Sequence, residues 1–305
     1  MSCRLVRKLT HRNVGTITLA LLAILLVGIA CNRKDSRFGP GESNAALKSK
    51  SGPAAAGETF LASLPPGTVI PDKDDEVGWR VLSEYGAVLV ARGDAVPPPL
   101  IIFPDGKTVD DWQASVKSMR TNLGGAWIEL QTPAMTALIE ARAEAQTARV
   151  NISPRGGNAG RRSYEETVKL WASRVNPGLE HWVHNRRLAR EEAARIRALS
   201  PREQSAEIFR LEKKGLYFST DFSKSILDSV AAPGSSQHLS MLAFDVKENG
   251  DSRVRAILAR HCWFQTVSSD APHFTFLGVT EDQLPTIGLK KVTNAGRAYW
   301  VPRLE

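Results

Sequence analysis

The sequence predicts an α+β fold: a small, mainly antiparallel sheet with helices packed on its outer face. Three observations lead there. Short apolar runs bounded by turn residues (Val81-Leu82, Ala87-Val88-Leu89-Val90 and Leu100-Ile101-Ile102-Phe103) read as strands. Helix-start signals then recur, at Thr108 with Asp111, Thr132 with Pro133, Ser163 with Glu166, and Ser200-Pro201 with Glu203. Residues 243–246 and 273–276 alternate with period two, small or polar side chains on one face and large apolar ones on the other. With 305 residues, 42% of them hydrophobic, the chain can bury a substantial core. Its 23 glycines and 17 prolines follow no period, which excludes a collagen-like chain, and three cysteines are too few for a disulfide-stapled scaffold.

The segments follow in order. Residues 1–30 run from a basic stretch (Arg4, Arg7, Lys8, Arg12) through an apolar run to Gly28-Ile29-Ala30, the order of a secretory signal peptide. The run is shorter than the ~20 residues that span a bilayer; a signal-anchor is the alternative. Cys31, after small residues and before polar Asn32-Arg33-Lys34-Asp35, resembles the lipobox of bacterial lipoproteins. That resemblance implies a lipidated Cys31 and attachment to a membrane. Residues 31–58, rich in Gly, Ser, Ala, Lys and Pro, are expected to form a flexible tether. Residues 59–106 read as a small β-rich subdomain. Residues 107–305 read as the main domain, with 186–215 a helical insertion closed by Gly215. The formal charge of +8 belongs partly to the signal. Taking its four bases from 40 leaves 36 against 32 acids, too even a balance for a nucleic-acid partner.

Two of the six histidines stand in unusual company. His238 precedes Asp245 by seven residues, and a strand over 243–246 turns Ala243 and Asp245 to one face. On the second strand His273 and Thr275 share a face. Two imidazoles and a carboxylate on facing strands make three ligands for a tetrahedral zinc, with the fourth position left for water. Asp270, three residues before His273 across a proline-containing bend, is a carboxylate able to take a proton from that water. His181 and His184 have helical ligand spacing but lack the acid of a His-Glu-x-x-His motif, and read as a helix edge. Cys262, next to His261 on a strand, reads as a buried thiol facing away from the imidazole.

These residues resemble a family. Ser236-x-His238-x-x-x-x-Ala243-x-Asp245 is similar to the Ser-x-His-x-x-Gly-x-Ala-x-Asp signature of zinc D-Ala-D-Ala carboxypeptidases, which include the vancomycin-resistance D,D-carboxypeptidases of the lysostaphin/D-Ala-D-Ala metallopeptidase superfamily. Asp270-Ala271-Pro272-His273 is similar to the family's acid-x-x-His element. The resemblance covers roughly residues 107–281. It implies His238, Asp245 and His273 as zinc ligands, Asp270 as the catalytic carboxylate and an arginine that stabilises the oxyanion. Arg155, closing Val150-Asn151-Ile152-Ser153-Pro154-Arg155, is assigned that role, with Arg161 and Arg162 as alternatives. Two positions depart from the pattern. Met241 stands where glycine is common, and Tyr217-Phe218-Ser219 resembles the family's Tyr-Arg-Ser with phenylalanine in the arginine slot. The implied activity is cleavage of a peptidoglycan stem peptide between terminal D-alanines, in the exported, periplasmic envelope. An endopeptidase acting on cross-links and a tethered, non-hydrolytic peptidoglycan-binding lipoprotein are the alternatives.

Overall fold

The computed structural model describes residues 59–305, an α+β fold with small antiparallel sheets. The signal peptide, Cys31 and the tether expected within residues 1–58 lie outside the described residues.

The expectation of a β-rich 59–106 is corrected. Helix α1 occupies Glu76–Tyr85 and runs into a 3-10 segment, Gly86–Val90. Asp75 caps α1 by accepting from Gly78 N, and Val77, Val81 and Tyr85 recur four apart, one stripe of a helix. Ala87 to Val90 is buried on all sides, so its run carries no period to distinguish strand from tight helix. Of the 100–103 run only Leu100 bridges, to Val69. These residues join the core of the rest of the chain.

Helix α2, Gly106–Ser115, starts earlier than Thr108. Asp105 is its cap and accepts from both Thr108 N and Thr108 Oγ1. Strands β1 (Ser118–Leu123) and β2 (Ala126–Gln131) form a hairpin whose turn, Gly124-Gly125, has positive φ at both positions, as a primed turn requires. Helix α3, Thr132–Thr147, carries Pro133 in its first turn, where the missing N–H costs nothing, and its cap position falls on Gln131 rather than Thr132. Helix α4, Tyr164–His184, and α6, Pro201–Glu212, both open with complete capping boxes, Ser163/Glu166 and Ser200/Glu203. Between them lies α5, Arg190–Arg197, so the expected insertion is helical. Gly215, with φ +78°, follows α6 and donates to Glu212 O.

Strand β3 (Ala243–Asp245), helix α7 (Ser252–Arg260), β4 (Trp263–Phe264) and β5 (His273–Phe276) follow. They form an antiparallel sheet in the order β3-β5-β4. Its register pairs Phe244 with Phe274 and Asp245 with His273. The phenylalanines enter the core with α3 and α7, each worth about 1.5–3 kcal/mol in burial, and pin the polar residues to the opposite face. The chain ends in a hairpin of β6 (Leu289–Asn294) and β7 (Arg297–Pro302). A second core joins α4, α5 and α6 to the Val77/Val81/Tyr85 stripe of α1, while Leu82 packs into the first. Helix α1 therefore seats one core against the other.

Candidate metal centre

The polar face of the three-stranded sheet meets a 3-10 turn, Gln237–Ser240, that carries His238. The turn ends at Met241 in the left-handed region (φ +56°). A side chain there is strained by about 1 kcal/mol, which burial of Met241 offsets. His238, Asp245 and His273 converge, with one donor atom of each lying within 4.8 Å of the others, and together they can hold a metal ion. Asp245 Oδ1 stands 3.2 Å from His238 Nε2 and 3.3 Å from His273 Nδ1.

The outer nitrogens decide what the inner ones present. His238 Nδ1 donates to Gly160 O at 2.7 Å, since a carbonyl only accepts. Gln237 Nε2 donates to Tyr85 O at 2.8 Å, which turns its Oε1 toward Thr266, Thr275 and His273. That oxygen also only accepts, so His273 carries its proton on Nε2, 2.9 Å away. Both inner nitrogens thus offer lone pairs to a carboxylate oxygen. Burial lowers the pKa of His238, although Asp245 pulls the other way. Burial works to raise the Asp245 carboxyl, yet the imidazoles beside it hold it far below the usual carboxylate range. A cation among the three donors would leave both imidazoles in the tautomers their outer bonds dictate.

The segment 155–162 braces this bed. Arg155 N donates to Asp245 O (2.8 Å) and Asp245 N to Ala159 O (2.9 Å). Gly160 lies so close to β2 that a Cβ would come within 2.7 Å of Ile128 and 2.9 Å of Glu129 O, so only glycine lets its carbonyl reach His238. Arg162 Nη2 pairs with Asp245 Oδ2 at 2.7 Å. Buried Gln113 of α2 donates to the carbonyls of Arg162 and Leu239 and accepts from Arg161 Nε.

A cleft of about 230 Å³ opens over the bed, lined by His238 and His273 together with Arg162, Arg174, Asp228 and Asp270. Asp270 is exposed there. Arg155 is not in the lining: its side chain is exposed, and only its backbone touches Asp245. The arginine at the bed is Arg162, because the chain from 155 to 162 bonds the backbone of Asp245 and then brings Arg162 N to His238 O. Arg161 pairs with Glu129 instead. Phe218 is buried against Gly178 in the second core. His181 stacks on Phe222 at 4.2 Å and His184 is exposed. His261 ends α7 rather than lying on a strand and bonds Glu144 at 2.9 Å; Cys262 is buried. The sequence reading missed Gln237, although it sits inside the quoted signature, because its role depends on Tyr85.

Comparison with known proteins returns no matching family model, no matching curated protein and no matching solved structure.

Proposed function

We propose that this chain is a zinc-dependent peptidase that trims peptidoglycan stem peptides between terminal D-alanines. The observation that carries the reading is the set of three lone-pair donors, with both histidine tautomers fixed from outside, at the floor of a cleft whose lining includes a free carboxylate. Zinc suits the donor set. Ligands at ~2.0–2.1 Å in a tetrahedron stand about 3.3–3.4 Å apart, and the two inner contacts measure 3.2 and 3.3 Å. When bound, zinc supplies Lewis acidity, which brings the pKa of water from ~15.7 toward ~7.

The chain's own residues do the rest. Asp270 takes the proton of the attacking water and returns it to the leaving amine. Arg162 keeps Asp245 ionised and oriented, and its Nη1, without a hydrogen-bond partner among the described residues, is available to the developing oxyanion. The order of residues 1–58 supports export, with Cys31 tethering the domain to the periplasmic side of a membrane where such peptides lie.

A second reading, a non-hydrolytic peptidoglycan-binding lipoprotein, is favoured by the commitment of Arg162 to Asp245. Purified protein, stripped of metal and reloaded, is assayed for bound zinc and for D-alanine released from a muramyl pentapeptide. Stoichiometric zinc with release is expected. Zinc without release, also on cross-linked muropeptides, favours the binding module, and no zinc ends both the peptidase reading and the ligand assignment.

A further inference from the structure

Helix α4 turns one stripe toward the cleft: Thr167, Leu170 and Arg174, three and four residues apart, all line it. Arg174 differs from the other cleft arginine. Arg162 is committed to Asp245. Among the described residues Arg174 bonds only its neighbour Ser173, through Nη1 (3.1 Å to Oγ and 3.4 Å to O). Its Nε is buried and has no hydrogen-bond partner among the described residues. Buried donors are nearly always paired, and the Nε–Nη2 edge of a guanidinium carries two parallel N–H groups matched to a carboxylate. Asp228 and Asp270 also line the cleft and repel an anion elsewhere in it. At about 230 Å³ the space falls below the ~300–1,000 Å³ of pockets for drug-sized ligands, which suits a chain end with small side chains.

Resting on the peptidase reading, we infer that Arg174 receives the free C-terminal carboxylate of the substrate. That contact makes Arg174 the residue that selects a free carboxyl end over an amide.

The test uses N-acetyl-D-alanyl-D-alanine and its C-terminal amide, with binding to metal-free full-length protein followed by calorimetry and hydrolysis followed after zinc loading. The acid is expected to bind about 10- to 100-fold more tightly than the amide, the usual range for a charge-assisted pair. Arg174→Met should erase that preference while leaving affinity for the amide unchanged. Arg174→Lys, which keeps the charge but loses the fork, should retain part of it. In hydrolysis the loss should fall on KM with kcat held. Equal affinity for acid and amide in the wild type, undiminished preference in a folded Arg174→Met, or no binding of either probe overturns the assignment. Acid-selective binding without zinc uptake or turnover overturns the peptidase reading and leaves the carboxylate site standing.

Discussion

The bed of the cleft and its wall treat charge in opposite ways. In the bed every charge is answered: Asp245 faces two imidazoles and Arg162, and each imidazole's outer nitrogen has its own acceptor. In and behind the wall charge is left over. Asp270 is exposed, Arg174 has an Nε without a hydrogen-bond partner among the described residues, and Glu84, next to Tyr85 of the lining, is pushed up to about 7, chiefly by burial and in spite of nearby Arg80. The difference teaches what each part awaits. A compensated, tautomer-fixed bed can hold one small cation, whereas a wall with unspent charge suits a group that arrives with its own.

The largest effect should come from the bed. His238→Ala or His273→Ala is expected to abolish stoichiometric zinc binding, because two protein ligands rarely replace three. The pair His181→Ala/His184→Ala should leave it intact, and metal analysis of the three proteins draws the contrast. Asp270→Asn should keep zinc and lower turnover by about 10²–10⁴, mainly in kcat, as loss of a general base does. Equal zinc but unchanged turnover would move Asp270 from chemistry to mere scenery. Gln237→Leu should weaken zinc affinity by about 10- to 100-fold in a competition titration, since His273 loses the acceptor that fixes its tautomer. Affinity equal to wild type would show that β5 alone orients the ring.

The smallest effect concerns the wall. Glu84 binds its proton more tightly when folded than the ordinary carboxyl at 4.5, so its contribution is complete below pH 4.5 and is lost as pH rises through about 7. Its side chain is 32% exposed and near Arg80, which tempers the magnitude. Glu84→Gln is expected to stabilise the protein by on the order of 1 kcal/mol at pH 8 and hardly at all at pH 4, read from denaturant unfolding. The same increment at both pH values would remove ionisation as its cause.

What could be read from the sequence was local. The period-two alternation around Asp245 and His273 and the capping boxes at Ser163 and Ser200 need only a few neighbouring residues, and all four appear in the structure. Helix α1 was hidden because Val81-Leu82 was read as a pair, without the Val77–Tyr85 stripe or the Asp75 cap. The choice of Arg155 over Arg162 rested on a short string. What separates them is the path of the chain past β3, and no spacing encodes that. Gln237 and Arg174 were illegible for the same reason: an amide's orientation and a guanidinium's lack of a partner are properties of the packed molecule.

The hydrogen bonds that fix the imidazoles close very different lengths of chain. Asp245 and His273 meet through a strand pair with a short connection, whereas Gly160 lies 78 positions before His238 and Tyr85 lies 152 before Gln237. Long closures cost more chain entropy than short ones. A cation held among the three donors would therefore draw on acceptors set by α1 and the 155–162 segment as well as on β3 and β5, and its affinity would report how well distant parts of the chain are joined.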